Sequence, residues 1–185
     1  DVPPTLISFA IAPIKKQDVI TPEFKEAGHP VYLFGAADES AESLKSTWEA
    51  FHELHKAGKV KAAWAIENGL GEAVMKMAFG NMIGFKFADG ITLDEIFGYN
   101  YGSFVIELSS DEEIGELLGY TTEEKAISYA GEKVCLEKAQ EIYEDKLEPV
   151  FACNIKNDKT AITLSYEKPF EFNCNYKSAK PKVLI

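Results

Sequence analysis

The chain has 185 residues, 46 % of them apolar, and a formal charge of −11 from 19 basic and 30 acidic side chains. Every basic residue is lysine, and the absence of arginine excludes an arginine finger and a bidentate guanidinium clamp on phosphate from within this chain. With a pI near 4.8, the balance argues against a nucleic-acid binder and against attraction to an anionic membrane.

Thr5 to Ile14 is apolar and β-prone and predicts a buried strand, entered through the rigid Pro3-Pro4 pair. His29-Pro30 leads into a second strand, Val31 to Phe34. Ser40 to Lys56 predicts a helix: Ser40 can cap it, Ala57-Gly58 ends it, and Leu44, Trp48, Phe51 and Leu54 or His55 make one apolar stripe. Val60 to Ile66 reads as a strand, Gly69 to Phe79 as a helix stopped at Gly80-Asn81, and Met82 to Phe87 as a strand. A brief helix over Thr92 to Phe97 precedes a strand, Ser103 to Leu108. The acidic first turn of Asp111 to Leu118 predicts another helix. Gly119 to Gly131 reads as a hairpin or a pair of short strands, and Leu136 to Leu147 as an amphipathic helix.

Beyond Pro149 the character changes. Thr160 to Tyr166 alternates like a strand, Asn173 to Lys180 is polar and linker-like, and Pro181 to Ile185 looks like the start of a further strand. The order predicts an α/β or α+β domain over 1–150, with helices packed on a mixed sheet, and a linker over 151–185. The cysteines Cys135, Cys153 and Cys174 form no CxxC pair, so reduced thiols in the cytoplasm are expected. No apolar run reaches the roughly 18 residues of a membrane span. The chain opens on Asp1-Val2-Pro3-Pro4, with neither a basic leader nor an initiator methionine, and is expected to be processed or a piece of a longer protein.

Chemistry is sparse. His52 and His55 share one helical face but lack further metal ligands at the HExxH spacing, so no metal site is expected. The acidic clusters Asp111-Glu112-Glu113 and Glu123-Glu124 read as solvated faces, and Met75 and Met77 as core filler. No Ser-His-Asp or Cys-His arrangement is defensible, so no catalytic residue is assigned. The one candidate ligand contact is the strand-to-helix loop of Glu67, Asn68, Gly69, Leu70 and Gly71. Free backbone N–H groups at a helix start there can meet an anion, with Asn81 offering a side-chain amide nearby. Glycine in such a turn also has a purely geometric explanation.

The ordered text adds a resemblance. Val2 to Ala10, Ile20 to Lys25, Lys76-Met77-Ala78-Phe79-Gly80-Asn81-Met82-Ile83-Gly84 and the tail Lys180 to Ile185 together resemble the large single-chain form of phosphoribosylformylglycinamidine synthase. The stretch is similar to the C-terminal-type domain of its second AIR-synthase-related half. That resemblance implies a three-layer α/β/α fold, partly ferredoxin-like. It also implies a parent ligase that converts formylglycinamide ribonucleotide, ATP and glutamine to formylglycinamidine ribonucleotide, with magnesium, in de novo purine synthesis. The tail would lead into a glutamine amidotransferase domain.

The sequence departs from the family where nucleotide and metal are held. Members often carry His-Asp-x-Ser-Asp-Gly-Gly-Leu; here the text is Ala63-Trp64-Ala65-Ile66-Glu67-Asn68-Gly69-Leu70. Trp64 cannot replace a carboxylate, and Ile66 cannot donate a hydroxyl. A Ser-Glu-Ser type segment appears as Gly98-Tyr99-Asn100. The chain by itself is therefore expected to be structural and to need no cofactor, its partners being the other domains of the parent. The alternatives are another AIR-synthase-like enzyme (selenophosphate synthase, a hydrogenase maturation factor or AIR synthase) and a non-enzymatic scaffold domain.

Overall fold

A mixed seven-stranded sheet carries the structure, in the order β2-β4-β1-β5-β3-β6-β7. The computed structural model describes residues 7–36, 38, 40–110, 114–153 and 163–165. The strands are β1 (Pro30–Phe34), β2 (Val60–Ala65), β3 (Gly84–Phe87), β4 (Phe104–Leu108), β5 (Glu116–Thr122), β6 (Ala126–Tyr129) and β7 (Glu132–Cys135). The helices are α1 (Ala41–Lys56), α2 (Leu70–Asn81), α3 (Leu93–Ile96) and α4 (Leu136–Asp145). All pairings are antiparallel except β3 with β6.

Strand alternation sorts the core into two layers. Val31 and Val105 point to one face and pack with Leu70, Val74 and Met77 of α2, Ile96 of α3 and Leu136 of α4. Tyr32, Ile106 and Leu108 point to the other face, where Phe51 and Leu54 of α1 cover them. Phe51 stacks on Phe104 with ring centroids 4.6 Å apart. The molecule is thus α/β/α, as expected. The Ser40 cap also forms, its hydroxyl accepting from Ser43 N at 3.2 Å.

Three expectations need correction. Residues 7–15 form no strand and are not buried: Ile7, Phe9 and Ile11 are 82, 83 and 80 % exposed. Apolar alternation says that a segment wants a sheet, and no described strand pairs with this one. Thr5 and Leu6 lie outside the described residues. The helix expected over Asp111 to Leu118 is instead the approach to β5, a central strand between β1 and β3, with 111–113 outside the described residues. Gly115 (φ +56°) and Gly119 (φ +150°) interrupt any helical run there, and both approach backbone that a Cβ would strike, that of Leu33 and Lys86 respectively. Gly119 to Gly131, read as a hairpin or a pair of short strands, holds the end of β5 and all of β6, which do not pair; the hairpin is β6 turning through Ala130-Gly131 into β7. Of Thr160 to Tyr166 only 163–165 are described, outside any strand, and the stretches 173–180 and 181–185 lie outside the described residues.

A buried clasp ties the approach to β1 onto the sheet. Glu107 of β4 is 0 % exposed and accepts from Lys25 N at 2.8 Å, Glu26 N at 3.3 Å and His29 Nδ1 at 2.6 Å. Thr121 of β5 accepts from His29 N at 2.9 Å and donates to Glu26 O at 2.6 Å. The enclosed Phe24 stacks on Phe85, 5.8 Å between centroids.

Candidate functional site

The loop Glu67–Gly69 joins β2 to α2, and Ile66 N donating to Ser103 O at 3.0 Å holds its start. Gly69 is the N-cap of α2, with φ 101° and ψ 169°, and no side chain caps the helix. That conformation is essentially closed to L side chains. Space is tight as well, since a Cβ there would lie 3.0 Å from Gly98 O and 3.4 Å from Ile96 O. Gly69→Ala is therefore expected to lower stability by about 1–3 kcal/mol, read as an earlier urea midpoint. An unchanged midpoint would show that the loop relaxes freely.

The same carbonyls bear on the anion reading. A phosphate approaching Gly69 from that side meets the oxygens of Ile96 and Gly98 rather than N–H donors. Glu67 and Asn68 are exposed, and Gly71 is half-buried against Ile96 and Phe97. Hydrogen bonding to Lys76, opposed by partial burial and helped by Asn68, holds the Glu72 carboxyl below its usual range. Lys76, its own pKa raised chiefly by Glu72, is already engaged. Its ammonium lies 5.5 Å from the Trp64 ring centre and 5.6 Å from that of Tyr143. Trp64 thus supplies a π face to a lysine.

Beside this loop lies an apolar cavity of about 480 Å³, lined among others by Asn68, Gly71, Phe87, Phe97, Ile127 and Tyr129. Among the described residues no lysine lines it. Nor do the described residues contain a cluster of three or more His, Cys, Asp or Glu suited to a metal ion. Among the described residues this cavity thus offers neither a lysine for a nucleotide's phosphates nor a ligand cluster for magnesium, while the first N–H groups of α2 carry no side-chain cap.

Asn81 stands apart. It closes α2 at the far end, about 18 Å along the helix axis from Gly69, and its Nδ2 donates to Phe24 O at 2.8 Å. The cavity takes Asn68 and Gly71 from the predicted set and leaves Glu67, Gly69 and Asn81 out of its lining. His55 Nε2 lies 2.8 Å from Asp18 O, while His52 is exposed. Met77 is fully buried core, and Glu124 pairs with Lys133 at 2.6 Å. Sequence reading passed over the Glu107–His29 clasp, because the two residues are 78 positions apart and only strand pairing joins them.

No protein-family model matches the chain, and no curated protein does. Solved structures do. PurLQS from Thermotoga maritima aligns with 86 % of this chain at 13 % identity and a TM-score of 0.56. Phosphoribosylformylglycinamidine synthase II from the same organism aligns with 85 % at 15 % identity and 0.55. T. maritima PurL complexed with FGAR aligns with 84 % at 13 % identity and 0.54. The alignments span 32, 31 and 33 % of those chains, so this chain covers about a third of their length. At such identities the likeness is one of architecture, and the chain has a PurL-like α/β fold.

Proposed function

We propose that this chain is a structural domain of a PurL-like ligase, equivalent to the C-terminal-type domain of the second AIR-synthase-related half in the large single-chain form. The parent would convert formylglycinamide ribonucleotide, ATP and glutamine to formylglycinamidine ribonucleotide in the cytoplasm, with magnesium held on other domains. Residues 151–185 would lead from this domain to a glutamine amidotransferase domain. The observation that carries the reading is the fold alignment over 84 % of the chain with PurL complexed with FGAR. The segment Lys76 to Gly84, which carries the family resemblance, builds the turn from α2 into β3 at the centre of that fold.

The domain's role is support rather than chemistry. Trp64 and Ile66 replace the carboxylate and hydroxyl that the family motif would supply, and Lys76 is tied to Glu72. Where ligand reaches this domain, the contact proposed is the loop Glu67 to Gly71 through backbone amides and Asn68, toward an uncharged part of the ligand. Asn81, proposed with them from the sequence, would act only on the opposite end of α2. Among the described residues no helix is long and apolar enough to cross a membrane.

The purified chain is expected to form no amidine from formylglycinamide ribonucleotide, ATP, magnesium and either glutamine or ammonia. Turnover above the enzyme-free blank would overturn the structural role. In the parent, Asn68→Ala should weaken ADP binding if the Asn68 side chain touches ligand, and unchanged binding would remove that side chain from the site. Asn68 is the better probe than Gly69, because it tests contact without straining the backbone.

A further inference from the structure

The connection from α3 to β4 carries Phe97, Tyr99 and Tyr101 at 75, 73 and 59 % exposure, beside a half-exposed Trp48 on α1. The rings of Tyr99 and Tyr101 lie parallel, 6.1 Å between centroids and 6° between planes. The loop is anchored: Phe97 N donates to Leu93 O at 2.9 Å, Ser103 N to Asn100 O at 3.2 Å, and Trp48 Nε1 to Gly102 O at 3.1 Å. Phe97 lines the separate cavity beside Asn68 and Gly71, so the stacked Tyr99–Tyr101 pair is the exposed aromatic surface here; such a pair suits a partner, and fixed rings lose little entropy on binding.

Charge identifies the partner. Tyr99 walls a cavity of about 260 Å³ whose floor includes Leu33, Leu70 and Leu118 and whose rim carries Asp94, Glu95 and Glu116. No lysine lines it among the described residues. Glu95 is held by Thr92 N and Oγ1 at 2.7 Å in the cap of α3, which leaves Asp94 and Glu116 beside an electron-rich ring to meet a cation, and a planar guanidinium both stacks on tyrosine and forks to carboxylate. A second copy of this chain does not fit: it has no arginine and bears a charge of −11. Nucleic acid and anionic lipid are repelled by the same charge.

We propose that the aromatic loop 97–102 and its acid-rimmed cavity form a docking surface for an arginine-bearing segment of a partner protein. Arginine stacks over the Tyr99–Tyr101 pair, and its head reaches the carboxylates of Asp94 and Glu116.

The test titrates the chain with a blocked hexa-arginine peptide, against hexa-lysine and spermine. The double variant Tyr99→Ala/Tyr101→Ala should weaken arginine-peptide binding about tenfold. Tyr99→Phe/Tyr101→Phe, which keeps the rings, should hold within about twofold. Glu141→Gln/Glu144→Gln on α4 changes the net charge elsewhere and should also stay within about twofold. Equal binding by the alanine double variant, or an equal loss with the α4 variant, would reduce the effect to general charge attraction and overturn the surface. Spermine or hexa-lysine binding as tightly as hexa-arginine would overturn the guanidinium assignment. Circular dichroism before titration confirms that each variant is folded, and Asp94→Asn/Glu116→Gln supplies a second readout: it should weaken arginine-peptide binding several-fold more than the α4 variant does, and an equal effect would overturn the surface.

Discussion

Glu107→Ala should cost about 3–5 kcal/mol of folding stability, a large part of the margin that holds a domain of this size. The carboxylate is fully buried and accepts from two backbone N–H groups and one imidazole. Truncation orphans Lys25 N and Glu26 N, each at about 1–3 kcal/mol, and leaves a space where the carboxyl stood. It also frees His29, whose Nδ1 points at Glu107 Oε1 from 2.6 Å. The segment from Phe24 to His29 then loses its principal attachment to β4. Glu107→Gln should lose less, because one amide oxygen can still accept from the backbone while its NH₂ faces donors. Urea denaturation reads both losses as earlier midpoints, and an unchanged m-value would show that the native state has kept its compactness. A loss under about 1 kcal/mol for Glu107→Ala would mean that water replaces the carboxylate and the clasp is incidental. A double-mutant cycle with His29→Ala separates the imidazole's share from that of the two amides.

What the sequence revealed follows from how local each signal is. The α1 helix was legible because its cap, its stripe and its stop all lie within Ser40 to Gly58. The β2–loop–α2 unit was legible for the same reason. The β5 strand was not: Glu116–Thr122 is a strand because β1 and β3 flank it, and those partners lie 83–90 and 32–38 positions upstream. Residues 7–15 show the converse error, since β-type sequence reveals a preference for pairing but not whether a partner is at hand. The candidate loop was found by its glycines, yet what confines Gly69 is the carbonyl pair of Ile96 and Gly98, which sequence spacing does not bring near. The exposed rings of the 97–102 loop drew no attention as sequence, because an aromatic residue in a chain reads first as core.

Gly84→Ala should be among the most damaging single methyl additions in the described structure. Gly84 opens β3 in ordinary backbone space, so the obstacle is steric. A Cβ there would overlap Glu124 O and come within 2.6 Å of both Ala126 O and Thr122 Oγ1. Two of these three are backbone atoms of the turn that carries the chain from β5 to β6, so no side chain can swing aside. Either β3 tilts off β5, or residues 124–126 move and the parallel pairing of Phe85 with Ile127 and Lys86 with Ser128 opens. Through that pairing β3 holds the β6–β7 hairpin to the rest of the sheet. The expected loss is about 3 kcal/mol or more, in the range of forced overpacking. Gly90→Ala is the control. It carries φ +98° with nothing within 4 Å of the added carbon, so it meets only conformational strain and should lose about 1 kcal/mol. Amide exchange locates the damage: Gly84→Ala should strip protection from β6 and β7 before β1 and β4 are affected. Uniform loss across the sheet would show instead that the hairpin and the central strands unfold as one unit, with the contact at Gly84 setting stability for both.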